Sequence, residues 1–539
     1  MKRIIYLLAA VFFVLIFHRH THAQLTTPPK IEWQRSLGGS ASEVVGSIQQ
    51  TTEGGYIVVG GTGSGDGDVN KPPGTFDYWT VKLSSSGMTE WKGLYGGKSY
   101  DMASSIRGTG NGSYIISGYS SSKDVHVKDN FGGDDFWIVK LIEDTVISWE
   151  SSFGGTDRDR ANSIIPTFDG GYIAAGYSSS KDGMVTDNHG GNDYWVVKLS
   201  DDGMKEWAKS YGGSNEDLAN SIQQTSDGGY IIAGESNSDD GNVTTREGGM
   251  GSSDYWVIKL SKDGSLEWQK MLGGSSQDKA SCIQQTADDG YIVVGNSGSI
   301  NGDVNGHFGD KGILDIWVVK LTKSGSIEWD RSLGGTSYDW ATSIYETSDG
   351  GHVIAGFTNS TDGNISFNHG GYDFWLVKLS KTGILEWERS IGGSRDDKAS
   401  SIQQTSDGGF IVAGNSASND GDVSGHHGGG DDFDYWVVKL SPENPSSVED
   451  ESAITCNISI SPNPTSSTAT LTLDSVEEGA CEVQIISVTG VTLKQYSTCI
   501  VTGKQEIALT DLESLPSGMY EVVVKRNGYL MAQTKLIVE

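Results

Sequence analysis

Cysteine is scarce in this chain. Only Cys282, Cys456, Cys481 and Cys499 occur in 539 residues, too few for a disulfide framework. A bridge between Cys481 and Cys499 is open, with no known spacing behind it. Cys282 falls where other copies of an internal repeat carry serine, which reads as a small buried side chain. Basic residues are also short. Lys and Arg number 39 against 70 Asp and Glu, a formal charge of -31, and such a surface cannot displace the counterions of a phosphate backbone. Nucleic acid is therefore excluded as a partner, while cation binding stays open. Only 10 prolines accompany 74 glycines, a balance that suggests many tight turns rather than disorder. Long apolar runs are confined to MKRIIYLLAAVFFVLIF at the start, too short for a comfortable membrane span. With THAQ after it, the run reads as a secretory signal peptide over residues 1–23, with no transmembrane segment in the mature chain.

The chain is rich in repetition. Tryptophans in the setting "EW" stand at Trp33, Trp91, Trp149, Trp207, Trp268, Trp329 and Trp387, and those of "DYW" at Trp79, Trp137, Trp195, Trp256, Trp317, Trp375 and Trp436. The spacing is 58 to 61 residues, and internal periodicity of this kind decides the fold before any local propensity does. Each copy reads as four short strands, around "SIQQT", "GYIIAG", "DYWVVKL" and "LEW", rich in Val, Ile, Tyr and Trp and bounded by Gly, Asp and Ser. The second and third are apolar on both faces, as in stacked sheets. Four-stranded units arranged radially predict an all-β, seven-bladed β-propeller over residues 24–440. A lone "EW" strand precedes the first full set and none follows the last, so Ile31 to Leu37 is predicted to complete the last blade as a clasp. The "TSDGG" and "SKDG" turns should share one face, and the "GGSNED" and long acidic connections the other.

The run DYWVVKLSDDGMKEWAKSYGGSNEDLANSIQQTSDGGYIIAG resembles the SBBP-type bacterial β-propeller repeat, in its D-x-[FW]-V-x-K-L, L-G-G-S-x-x-D and D-G-x-x-Y-V-x-G elements. That resemblance implies a fold and an exported setting, and no single activity. After a polar linker at 441–452, residues 453–539 carry SPNP at Ser461 to Pro464, a strand ending in "TG" at Gly490, LPSGMYEVVV and a final KLIVE. These resemble the C-terminal type A sorting domain of the type IX secretion system of Bacteroidota, a small β-sandwich. The resemblance implies the type IX machinery as a partner and a secreted protein, released or attached at the outer-membrane surface.

Candidate sites are few. Every copy carries an Asp before the "YW" pair, a Lys after it and a second acid after "GG". Identical groups around a ring lack the unlike environments that drive catalytic pKa values apart, so turn-capping acids and a lysine reaching between blades are expected. Asp66, Asp68, Asn70 and Asp77 stand at positions 1, 3, 5 and 12 of a loop spaced like a calcium site, although Lys71 replaces the position-6 glycine; ordinary Asp-Gly turns explain the same pattern. Six histidines of the long connections come from different blades, against a converged transition-metal site. No nucleophile, phosphate or dinucleotide motif occurs, so no enzymatic activity is expected. Trp340 breaks the repeat, where other copies have Val44, Met102, Arg160, Leu218, Lys279 and Lys398, and lies beside Tyr338. That pair is the candidate ligand-binding site, for stacking on a sugar or a protein, unless Trp340 packs over its own blade. Three readings follow: a binding module with a glycan or protein ligand, a polysaccharide-active enzyme, or a structural surface protein.

Overall fold

The computed structural model describes residues 27–538 apart from 72–74, 111, 143–144, 244–251, 431, 444–456, 476–478, 487–491, 501–502 and 527–528. The signal-peptide segment 1–23 lies outside the described residues, as do most of the linker and the side chains of Cys456, Cys481 and Cys499. The chain is all-β and divides into two compact units, residues 1–444 and 445–539.

The first unit holds seven four-stranded antiparallel sheets. We number them by their first strands, which begin at Glu43, Asp101, Asp159, Asp217, Asp278, Asp339 and Asp397. Sheet 4 is representative, with strands Asp217–Gln224, Tyr230–Ser236, Asp254–Leu260 and Leu266–Leu272 in sequence order. Its second and third strands are buried along their whole length, because both faces meet other sheets. The fourth, "EW" strand is only half-buried. In sheet 7 the fourth position is taken by Ile31–Leu37, which pairs with Asp434–Leu440 in the register Leu37↔Tyr435 to Ile31↔Leu440.

Neighbouring sheets are joined by one main-chain contact all the way round and, at four of the seven junctions, by a Tyr–Trp contact as well. Tyr and Trp, adjacent in "DYW", point to opposite faces of their strand, so a single dipeptide serves two junctions. Tyr194 of sheet 3 donates its hydroxyl to the Trp256 carbonyl of sheet 4 at 2.8 Å, with ring centroids 4.5 Å apart. The first and last sheets repeat the contact through Tyr435 and Trp79, whose rings lie 4.7 Å apart. The amide of Asp217 donates to the Asn192 carbonyl at 2.6 Å, and Glu43 repeats this on Phe433 at 2.6 Å. The first strands neighbour one another in unbroken cyclic order.

On one face lies the TSDGG hairpin. In sheet 4 Gly228 has φ +83°, and Asp227 accepts from the Gly229 amide at 2.9 Å. Buried Lys259 reaches Asp227 at 3.1 Å and Glu267 at 3.2 Å. Lys140 reaches from sheet 2 to Asp201 of sheet 3 at 2.6 Å, the contact between sheets expected from the sequence, whereas Lys259 ties together three strands of its own sheet. Lys439 does the same for Asp407 and, on the clasp strand, Glu32.

The second unit contains a three-stranded sheet (Asn457–Ser461, Ala469–Ser475, Gly503–Leu509) and a four-stranded one (Gly479–Ile486, Thr492–Ile500, Gly518–Arg526, Tyr529–Val538). Leu471, Leu473 and Leu509 of the first pack with Val483, Val522 and Leu536 of the second. The Asn463 side chain donates to the Lys535 carbonyl and accepts from the Ile537 amide, each at 2.7 Å, so SPNP is fastened to the closing KLIVE strand. Asn463→Ala loses two hydrogen bonds of about 1 kcal/mol each. We expect the transition of this unit in calorimetry of the full chain to fall by several degrees while that of the ring stays fixed.

Candidate functional site

The face opposite the TSDGG hairpins is built on buried carboxylates. The first-strand acids are inaccessible to solvent. Asp217 accepts from the Gly213 amide at 2.8 Å and the Ser238 hydroxyl at 2.9 Å. The acid that opens the third strand of the preceding sheet faces it across the first glycine of "GG". A methyl group on Gly154 would lie 2.2 Å from an Asp135 oxygen and 2.5 Å from an Asp159 oxygen, so these two carboxylates are within about 5 Å of each other. The same holds for Asp77 with Asp101, Asp193 with Asp217, Asp254 with Asp278, Asp315 with Asp339, Asp373 with Asp397 and Asp434 with Glu43. Burial, followed by the facing charge, pushes Asp217 and Asp397 up to about 6 and Asp135 to about 7. The histidines of the long connections serve these seams: His189, His369 and His427 place Nδ1 2.6 to 2.8 Å from Asp193, Asp373 and Asp434.

The four loop residues with calcium spacing do separate things. Asp66 accepts from the Ser40 amide at 2.7 Å, Asp68 pairs with Lys92 at 2.6 Å, and Asp77 with Lys71 at 2.5 Å. Asn70 is exposed. Asp182, Asp362 and Asp420 repeat the Asp66 contact on Thr156, Thr336 and Ser394, which makes it a recurring loop cap. Among the described residues no group of three or more His, Cys, Asp or Glu could hold a metal ion.

Above this constant layer, the residue after each first-strand acid lies beside the neighbouring sheet, and it is here that the repeat varies. Trp340 is half-buried and stacks on Phe357 of its own sheet, with centroids 5.9 Å apart and planes at 16°. Phe357 meets Tyr372 edge-on at 5.3 Å. From sheet 7, Lys398 brings its ammonium 4.8 Å from the Tyr372 ring and 5.6 Å from Phe433, and pairs with Asp396 at 2.7 Å. Tyr338 stands exposed at the edge, its amide held by Asn359 at 2.9 Å. The two residues singled out from sequence thus share a short connection with a larger cluster, of which Phe357, Tyr372, Lys398 and Phe433 were not foreseen.

A second sector was missed altogether. Phe76 stacks on Tyr100 at 5.2 Å, Tyr100 on Tyr119 at 6.0 Å, and the Arg160 guanidinium covers Tyr119 at 4.1 Å. Arg160 also pairs with Asp134 at 2.5 Å, and exposed Arg158 lines the same cleft. Asp134, Arg158 and Arg160 depart from their counterparts in the other copies, the same signal that marked Trp340, whereas Phe76, Tyr100 and Tyr119 recur as Phe433, Tyr338 and Tyr177.

Comparison with known proteins bears on the second unit. Residues 459–539 match the secretion system C-terminal sorting domain. This tail supports type IX secretion and indicates export to the cell surface or the extracellular space. Among the described residues no helix is long and apolar enough to cross a membrane. No curated protein matches the chain. Solved structures that resemble it include Sqt1 from Chaetomium thermophilum (10% identity, 76% of this chain and 100% of that one, TM-score 0.37). A Synechocystis apocarotenoid oxygenase mutant is 12% identical, over 78% of this chain and 95% of that one, with TM-score 0.33. A glycoside hydrolase family 43 arabinoxylan arabinofuranohydrolase from Bacillus subtilis is 10% identical, over 93% and 95%, with TM-score 0.27.

Proposed function

We propose that the seven sheets are the blades of a seven-bladed β-propeller clasped by Ile31–Leu37, and that residues 453–539 form a β-sandwich handled by the type IX machinery. We further propose that the ring works at or beyond the cell surface as a binding module for glycans. The observation that carries this reading is the Trp340, Phe357 and Tyr372 cluster with Lys398 among its rings, on a face whose underlying framework repeats seven times. Aromatic faces present a quadrupole that stacks on the C–H faces of a sugar ring, and the lysine and Tyr338 add donors at the rim. The Phe76, Tyr100 and Tyr119 stack supplies a second contact area for an extended chain. The repeat-breaking acids of this face that could serve cleavage, Asp134 and Glu235, are held by Arg160 and by Lys279 at 3.0 Å. That pairing favours binding over hydrolysis.

The test is a glycan array followed by titration of the best hit against the wild-type chain, Trp340→Ala and Tyr372→Ala. Each substitution removes a ring worth about 1–2 kcal/mol, so affinity should fall roughly 5- to 30-fold. Unchanged affinity in both variants would overturn the placement of the site, and cleaved products would overturn the binding-only reading.

A further inference from the structure

The first strands surround an axial cavity of about 230 Å³. At the position after the buried isoleucine of "SI", sheets 1, 5 and 7 place Gln49, Gln284 and Gln403 on its wall, sheet 2 places Arg107 and sheet 6 Tyr345. Each glutamine turns its oxygen to the wall. Gln49 Oε1 accepts from the Gly108 amide at 2.7 Å, Gln284 from Glu346 at 2.9 Å and Gln403 from Gln50 at 2.8 Å. A main-chain N–H can only donate, so the amide orientation is fixed by chemistry, and each NH₂ group is left with its donors for the lumen. The circle of inter-sheet bonds that closes the ring therefore also lines its axis with donors.

Arg107 is the one charged residue on this lining, and it has no carboxylate. Its Nη1 donates to its own Ile106 carbonyl at 2.7 Å and to the Ser47 hydroxyl at 3.4 Å, which leaves most of its five donors unused. The remaining polar wall consists of the Ser343 and Ser401 hydroxyls, Tyr345 and Cys282. In a chain of net charge -31, a cavity with an unpaired guanidinium and no acid is exceptional. An unpaired charge out of bulk water is unfavourable, and a planar guanidinium takes a carboxylate through two parallel hydrogen bonds.

We propose that the axial cavity is a binding site for a small carboxylate anion, held by the Arg107 guanidinium and the amide groups of Gln49, Gln284 and Gln403. Nothing in the glycan reading requires this site, since the aromatic sectors lie on the loop-bearing face.

Arg107→Gln tests it cleanly, because it installs the residue that the equivalent position already carries in sheets 1, 4, 5 and 7. The full chain and this variant are melted with increasing sodium acetate, with sodium chloride at matched ionic strength as the reference, and acetate binding is measured by calorimetry. For the wild type we expect saturable binding and a melting temperature about 2–4 °C higher at saturating acetate than in chloride. In acetate-free buffer the variant should melt at or above the wild type, having lost a half-buried charge without a counter-ion, and acetate should not move it. The same acetate response in both proteins would overturn the site, and equal stabilisation of the wild type by chloride would overturn the carboxylate assignment.

Discussion

Raising the pH from 5.5 to 8.5 is expected to lower the melting temperature of the ring by roughly 5–10 °C, the reverse of ordinary acid denaturation. The cause is the seam between sheets. Burial raises Asp101, Asp217, Asp339 and Asp397 to about 6, Asp135 to about 7 and Asp315 to about 8, helped by the facing acid in each case but Asp339, where the nearby charge is Asp362. The folded ring therefore holds protons that the unfolded chain releases near pH 4. Stability from these groups is complete below that value and is lost as pH rises through the folded-state values of 6 to 8. At the other extreme stand the hairpin acids. Burial acts upward on Asp227 and Asp288, yet the hydroxyls of Thr225 and Thr286, the turn amides, Lys259 and Lys320 hold them at about 2. Their contribution is present above the unfolded value and disappears as pH falls from about 4 to 2. A maximum between pH 4 and 6 follows. Scanning fluorimetry from pH 3 to 9 measures it, and a flat profile between 5.5 and 8.5 would sink the account. Asp315→Asn keeps an acceptor for the Phe308 amide and gives Asp339 a donor in place of a like charge. It should raise the pH 8.5 melting temperature by a few degrees and leave pH 5 nearly unchanged.

Gly356→Ala should unfold sheet 6 or the whole ring. The glycine that closes each "GYIIAG" phrase sits opposite a bulge in the first strand, between Ala341 and Ser343 in this sheet. There a main-chain carbonyl leans onto it, and an added methyl carbon on Gly356 would lie 1.7 Å from the Trp340 carbonyl oxygen. Gly60, Gly118, Gly176, Gly234, Gly295 and Gly414 meet the same oxygen at 1.9 to 2.1 Å. Main chain cannot swing aside as a side-chain tip can, so the loss should be about 3 kcal/mol or more. Gly429→Ala, with nothing within 4 Å of the new atom, is the control and should be near neutral. Equal denaturation midpoints for the two would refute the steric argument.

Both predictions concern residues the sequence displayed openly, yet only part of their meaning was legible there. Periodic tryptophans and the offset "EW" strand specify four strands per sheet and the partner of Ile31–Leu37, because those are matters of counting. The terminal glycine was visible as a turn former, but its true neighbour, a bulged carbonyl one strand away, depends on register. The seven acids after "GG" read as turn caps. That is half of their role; for six of them the facing acid stands 24 residues upstream in another sheet, and for Glu43 it is Asp434 near the other end of the ring, a pairing no local pattern carries. Trp340 was found because it departs from the repeat. The same test applied to the second strand and to the "SI" position would have yielded Phe357 and Arg107, neither of which belongs to a motif.

The strand Ile31–Leu37 closes the circle with contacts between residues some 400 positions apart, such as Trp436 Nε1 to Gln34 Oε1 at 2.9 Å. Its meaning for the life of the protein is temporal. The last sheet has no outer strand until the start of the chain returns to it, so assembly ends with the most distant and slowest of all its contacts. Once latched, the ring has no frayed end from which to unravel, and its persistence outside the cell is governed by how rarely that one latch lifts.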